Sequence, residues 1–293
     1  MLRAAILTLC LAIAAPARAG QIPLTITIDG LKREALLTVP DAPAPPGGRP
    51  LVLVLHGGGG TTKALVRTTG GRFDRLAETN GALILYPQAI DRSWDFGEGV
   101  VSARDAHPRD DLHFLTALTE AVTRKYGGNP ARAYATGISR GGQAAYFLAC
   151  KAPGLLAGIA PVSMSLPDFL EDDCRAAPGL PILLIHGTAD PIVPYTGGTI
   201  TIGRQDRGTV LGVEATMRLF RAKNDCTARF TTRRTGKVEE TAWERCARPT
   251  VLYRVEGGGH TWPGASRELP RWLVGPVNRD ISAPDEIWWF FFG

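Results

Sequence analysis

The chain has 293 residues, 44% hydrophobic and 21% charged, with a formal net charge of +5 and a pI near 9.1. This is the balance of a globular protein with material for a large core, and no linker, repeat or composition shift divides it. The charge is mildly positive, but the arginines are scattered, no dense basic run occurs and no nucleic-acid-binding motif is present, so no nucleic-acid partner is expected.

Taken in chain order, residues 1–19 read as an export signal. Met1-Leu2-Arg3 supplies the positive start, residues 4–15 an apolar run, and Ala17-Arg18-Ala19 a small-residue cleavage site. The run is shorter than the roughly 20 residues a spanning helix needs. Leu9 before Cys10 argues against lipid modification, and no later segment is apolar for long enough to cross a bilayer. The expected product is residues 20–293, a single domain without a membrane anchor, secreted to the extracellular space or periplasm.

Residues 24–28 and 34–39 alternate apolar and polar side chains, which predicts an antiparallel pair turning near Asp29-Gly30. The proline-rich stretch 41–50 reads as a loop. Residues 51–55 (L-V-L-V-L) are continuously apolar, as in a strand buried on both faces of a parallel sheet. Further strands are predicted at 82–86, 131–136, 158–162, 182–185 and 251–255. Helical patterns fall at 73–79, 110–126, 141–150, 213–223 and 284–292. Strands alternating with helices imply βαβ units and a mostly parallel central sheet flanked by helices on both faces.

Three motifs follow predicted strands directly. Ser139 lies in G-I-S-R-G, where flanking glycines suit the strained strand-to-helix turn of a nucleophile elbow. A serine hydroxyl needs a base to take its proton. His260 in G-G-G-H is the candidate base, and Asp190 in H-G-T-A-D is the candidate for orienting its imidazole. The order serine, acid, histidine is that of the α/β-hydrolase fold. Asp168, Asp172, Asp173 and Asp206 are weaker rivals for the acid. The fourth segment, residues 56–60 (H-G-G-G-G), lets backbone N–H groups approach a developing oxyanion. The amides of Gly58 and Arg140 are the expected donors. The glycine run lacks the Lys-Ser/Thr of a phosphate-binding loop and the spacing of a dinucleotide fingerprint. In open α/β sheets such groups collect at the carboxyl ends of the strands, where all four segments are predicted to converge. Asp110 and Asp111 are expected to cap the helix that follows them.

Removing the leader takes Cys10 with it and leaves Cys150, Cys174, Cys226 and Cys246. Four cysteines in an oxidising compartment suggest two bridges, for which three connectivities exist. Pairing between sequence neighbours is the simplest, and each bridge would close a loop of about 20 residues worth roughly 3 kcal/mol. No C-x-x-C spacing supports a metal site.

These motifs resemble one known group. L-V-L-V-L-H-G-G-G-G, D-D-L-H-F-L at 110–115, G-I-S-R-G-G at 137–142, I-H-G-T-A-D-P-I-V-P-Y and G-G-G-H-T-W-P-G look like the polyhydroxybutyrate depolymerase/feruloyl esterase family of secreted α/β-hydrolases. The resemblance implies a Ser139–Asp190–His260 triad, an acyl-enzyme and no metal or cofactor. It implies as substrate a feruloyl or acetyl ester of the plant cell wall or a hydroxyalkanoate oligomer. It also favours the bridges Cys150–Cys174 and Cys226–Cys246.

Two positions depart from the family pattern. Arg140 stands where a small or neutral residue is usual, and its guanidinium is expected either to pair with a nearby carboxylate or to meet an acidic substrate group. Gly58 stands where a cysteine is frequent. Trp94, Tyr195 and Trp262 are candidates to stack on a phenolic or sugar group; packing or a place on the rim is the equal alternative for Trp94 and Tyr195, and Trp262 is rather a scaffold for the histidine loop. The chain ends soon after W-W-F-F-F without a linker or added binding domain, which favours soluble or oligomeric substrates. A serine peptidase on the same fold would bring a propeller or lid, and a non-catalytic binding protein would show a damaged triad. Neither feature is visible in the sequence.

Overall fold

The computed structural model describes residues 20–96, 110–267 and 269–293. The leader reading of residues 1–19 lies outside them. The alternating stretches form Gly20–Ile28 (β1) and Leu31–Val39 (β2), antiparallel and turned through Asp29 and Gly30, both with positive φ. Arg49–Leu55 (β3), Leu83–Gln88 (β4), Gly128–Ile138 (β5), Gly158–Val162 (β6) and Ile182–Gly187 (β7) follow. Then come Gly198–Ile202 (β8), Gln205–Val210 (β9), Phe230–Thr235 (β10), Val238–Trp243 (β11) and Thr250–Val255 (β12). The helices are Thr62–Thr68 (α1), Arg72–Asn80 (α2), Asp111–Lys125 (α3), Arg140–Lys151 (α4), Glu171–Ala176 (α5), Val213–Lys223 (α6), Arg271–Val274 (α7) and Ala283–Phe292 (α8).

Ten strands make one sheet in the order β1-β2-β4-β3-β5-β6-β7-β12-β11-β10. The pairs from β4 through β12 are parallel, and the two flanks, β1-β2 and β11-β10, join antiparallel. Successive side chains of a strand point to opposite faces, and β3 shows the result. Leu51, Leu53 and Leu55 enter one core with Phe114 and Leu118 of α3, Tyr146 of α4 and Phe220 of α6. Val52 and Val54 enter the other with Leu65 of α1, Phe73 of α2 and Ile287 and Trp288 of α8. The sheet is therefore covered on both sides, as the continuous apolar run requires. This is the α/β-hydrolase fold.

The structure adds elements that apolar periodicity did not predict. The β10–β11 hairpin exposes nearly all of β10 and is held by opposed charges instead of burial. Arg233 faces Glu240 and Arg234 faces Glu239 in register, with ion-pair distances of 2.6 and 3.7 Å. Helix α1 starts at an N-cap, Thr61 Oγ1 accepting from Ala64 N at 3.1 Å, but is too short and threonine-rich to show a period. The cysteines pair as neighbours: Cys150–Cys174 ties α4 to α5, and Cys226–Cys246 ties the end of α6 to the loop after β11.

The acids before α3 divide their roles differently from the expectation. Asp110 caps the helix, accepting from His113 N at 2.8 Å. Asp111 turns inward to a fully buried ion pair with Arg33 of β2, whose guanidinium also lies 3.7 Å over the Phe114 ring. Its other oxygen accepts from Asp95 N at 2.7 Å. Burial raises the Asp111 carboxyl above the ordinary carboxylate range, against the lowering effect of Arg33 and of the Asp95 amide.

Candidate active site

Ser139 sits between the end of β5 and the start of α4 with φ 56° and ψ −125°, a backbone state that costs an L residue about 1–3 kcal/mol. The surroundings leave the turn no choice. A Cβ at Gly137 would come within 2.5 Å of the Gly141 carbonyl carbon, and one at Gly141 within 2.2 Å of the Leu55 oxygen. The two glycines of G-I-S-R-G are thus required by backbone packing. Ser139 N donates to Val162 O at 3.0 Å, anchoring the turn to β6. Arg140 opens α4, so its N–H is among those a helix leaves without an internal acceptor.

His260 and Asp190 come together across the loops that follow β12 and β7. Their backbones approach closely: a Cβ at Gly187 would lie 2.2 Å from Gly258 O, and Ala189 N donates to Gly258 O at 3.0 Å. His260 is fixed by its own N–H, 2.6 Å from Val274 O. Its Nδ1 lies 2.8 Å from Asp190 Oδ2, and both residues are buried. Asp190 Oδ1 accepts the backbone N–H groups of Ile192 and Val193, each at 2.9 Å. Burial alone would raise the Asp190 carboxyl. The charge of His260 and hydrogen bonds from His186 and His260 outweigh it and hold the carboxyl well below the ordinary carboxylate range.

His186, which sequence reasoning passed over, is fully buried behind this pair. Its Nε2 donates to Val193 O at 3.0 Å and stands 3.5 Å from Asp190 Oδ2. The signal for it was present in H-G-T-A-D, four residues before the aspartate. The rival acids lie elsewhere. Asp173 pairs with Lys151 at 2.7 Å, and Asp206 accepts from Gly208 N on the β9 hairpin.

The glycine loop after β3 is held by His56. Ala89 N donates to His56 Nε2 at 3.1 Å, so Nε2 is the acceptor and Nδ1 carries the proton, donated to Gly57 O at 2.8 Å. Burial lowers the His56 pKa, against the raising effect of the Gly57 carbonyl, and keeps this ring neutral. Gly59 N and Gly60 N are used in holding the loop, on Arg92 O and Gly57 O. The Gly58 N–H meets no acceptor among the described residues. Gly58 lies beside Arg140, whose Cδ would be 3.4 Å from a Cβ there.

A cavity of about 460 Å³ opens at this end of the sheet, lined by Ser139, His260, Gly57, Gly58 and mostly apolar neighbours including Leu65, Ile138, Ile192, Trp262 and Val274. The structure therefore brings Ser139, His260 and Gly58 to one space, with Asp190 behind His260. It does not bring Trp94 or Tyr195 to the wall. Trp94 is 1% exposed, its indole N–H donates to His56 O at 2.8 Å and its ring lies 4.9 Å from the imidazole. Tyr195 bonds Glu214 at 2.7 Å. Trp262 reaches the wall while being 2% exposed, packed edge-on to Phe73. The Arg140 guanidinium donates to Trp94 O and lies over the Phe96 ring at 5.2 Å. Among the described residues no cluster of three or more His, Cys, Asp or Glu could hold a metal ion, and no helix is long and apolar enough to cross a membrane.

No protein-family model matches the chain. NocK of Nocardia uniformis subsp. tsuyamanensis, which carries an esterase assignment, is 32% identical over 269 residues, spanning 87% of this chain and 77% of that protein. Feruloyl esterase B of Piromyces equi is 26% identical over 200 residues, 66% of this chain, and the chain spans only 36% of that longer protein. The structure of an acetyl xylan esterase from Aspergillus awamori superposes with a TM-score of 0.63 at 16% identity, covering 94% of this chain and 100% of that one, which is a likeness of fold. Kinship along most of both chains with NocK, on this sheet, makes the protein a member of the ester-hydrolysing α/β-hydrolase superfamily.

Proposed function

We propose that the protein is a serine carboxylic-ester hydrolase that works through an acyl-enzyme, with Ser139 as nucleophile, His260 as base and Asp190 as the orienting acid. The observation that carries this reading is the 2.8 Å contact of Asp190 Oδ2 with His260 Nδ1 beside a cavity that His260 and Ser139 both line. The bond fixes the Nδ1–H tautomer and leaves Nε2 to take a proton. Ser139 Oγ attacks the ester carbonyl carbon while His260 Nε2 takes the hydroxyl proton. The carbonyl oxygen becomes an oxyanion facing the N–H groups of Gly58 and Arg140, each such donor being worth about 2.7–4 kcal/mol. Collapse breaks the ester C–O bond and His260 returns the proton to the leaving alkoxide. Water, deprotonated by the same imidazole, then attacks the acyl-enzyme and releases the acid and Ser139.

The substrates proposed are feruloyl or acetyl esters of cell-wall sugars and short hydroxyalkanoate esters. The motif resemblance and the esterase names among the relatives support this range. Export to an oxidising compartment is part of the proposal, and the two disulfides fit it. Ser139→Ala tests the chemistry. The variant is expected to stay folded by circular dichroism and to lose turnover of p-nitrophenyl acetate to the background rate. Undiminished hydrolysis would overturn the assignment. A panel of methyl ferulate, acetylated xylan oligomers, hydroxybutyrate oligomers and a peptide amide sorts the substrate.

A further inference from the structure

Two arginines stand in the largely apolar wall of the cavity beside Ser139: Arg67 on α1 and Arg267 on the loop after Trp262. The backbone holds them side by side. Ser266 N donates to Thr68 O at 2.8 Å, and each arginine is the chain neighbour of one partner in that bond. Packing there is tight, since a Cβ at Gly70 would stand 2.4 Å from Ser266 Oγ. Both arginines are exposed at the cavity, and neither guanidinium makes an ion pair, hydrogen bond or ring contact among the described residues. By contrast, Arg33, Arg72 and Arg175 each face a carboxylate, in Arg33–Asp111, Arg72–Asp285 and Arg175–Glu171.

Two like charges fixed on adjoining backbone repel each other, and an anion between them reverses the sign of that interaction. The planar guanidinium fork matches a carboxylate in particular. The rest of the wall, with Leu65, Ile192, Leu273 and Val277, suits a hydrocarbon body. We propose that Arg67 and Arg267 clamp a carboxylate at this cavity, so that the favoured substrates are apolar esters carrying a free carboxylate in addition to the scissile group. The inference rests on the serine-esterase reading above and narrows its substrate class.

The test is the ratio of kcat/KM for an anionic ester to that for its neutral counterpart. One pair places the carboxylate on the acyl side: mono-p-nitrophenyl adipate against p-nitrophenyl hexanoate. The other places it on the alcohol side: 4-acetoxybenzoate against phenyl acetate. Exposed ion pairs are individually weak, so the double variant Arg67→Gln/Arg267→Gln is expected to lower the ratio about ten-fold, through the KM of the anionic ester. The pair in which the ratio falls locates the carboxylate. Arg67→Lys/Arg267→Lys, which keeps the charge and loses the planar fork, should fall between the wild type and the glutamine variant. Raising salt to about 0.5 M should erode it in the wild type and leave the glutamine variant unmoved. A ratio unchanged by the double substitution in both pairs, with Ser139→Ala inactive, overturns the clamp and leaves the esterase reading standing. Hydrolysis that survives Ser139→Ala overturns the reading beneath it.

Discussion

Replacing Asp190 by asparagine should switch the imidazole to the wrong tautomer while leaving the fold in place. The reason lies in the two oxygens of the carboxylate. Oδ1 accepts two backbone N–H groups, from Ile192 and Val193 at 2.9 Å each, and an amide NH2 cannot replace it there. The asparagine oxygen must take that side, which turns the NH2 toward His260. Nδ1 of His260 then has to accept, its proton moves to Nε2, and the atom that should receive the Ser139 proton already carries one. In triads of this kind the loss is about 10⁴-fold in kcat, or about 5.4 kcal/mol at 1.36 kcal/mol per decade. Both backbone bonds survive, so the folding cost is confined to one charge-assisted hydrogen bond, about 1.5–3 kcal/mol. Single-turnover kinetics with p-nitrophenyl acetate, beside urea unfolding, measure the two separately. The folded carboxyl lies below its unfolded value near 3.8, so its stabilisation is present above that pH and is lost as pH falls toward the folded value. The stability gap between wild type and Asp190→Asn should accordingly narrow below about pH 4. A folded Asp190→Asn enzyme within ten-fold of wild type would refute the orienting role.

Asp111→Asn should cost about 3–5 kcal/mol in urea unfolding, because Arg33 would be left charged and buried. Arg33→Met/Asp111→Leu should recover most of that loss; a double variant as unstable as the single one would contradict the desolvation argument. Lys223 is pushed down to about 8 by burial, its Nζ donating to Cys174 O. Below that pH both folded and unfolded chains hold the proton and the burial cost stands in full. Between about 8 and the unfolded value near 10.5 the folded chain binds fewer protons, so stability from this group rises with pH. Lys223→Met should therefore be more stable than wild type at pH 7, with the difference shrinking by pH 10; a difference that does not change with pH would count against it.

The parts of the fold that exclude water on both faces were legible in the sequence, because burial leaves an unbroken apolar run such as residues 51–55. The β10–β11 hairpin was not, since the exposed threonines and arginines of β10 carry no apolar period and its register rests on charges whose partners lie on the other strand. The same distinction divides the site. Ser139, Asp190 and His260 stand in short motifs whose glycines mark close backbone approach, and the structure sets each motif after a strand. The supports were hidden for a different reason. Arg33 and Asp111 are 78 residues apart, and a buried ion pair looks in sequence like two ordinary surface charges. Asp111 was read as a second cap because it adjoins the true one. Stacking and packing stayed equally open for Trp94, because an aromatic near a predicted mouth gives no sign of which way its ring faces.

That last residue shows why an arginine can follow Ser139. Trp94 donates its indole N–H to His56 O and covers the His56 ring, so it grips the loop that carries Gly58. Its own carbonyl accepts from the Arg140 guanidinium, which also rests over Phe96. The stem of Arg140 in turn packs beside Gly58. The two N–H groups proposed to receive the oxyanion thus belong to segments tied together by one tryptophan and one arginine side chain. Next along the chain, Asp95 N is held by Asp111, whose charge is balanced by Arg33. A small residue at 140 would leave the Trp94 carbonyl without this donor and the loop without its side support. In the proposed mechanism Arg140, which departs from the expected small residue, would serve the same backbone chemistry, and the proposed clamp would leave substrate charge to Arg67 and Arg267 at the cavity.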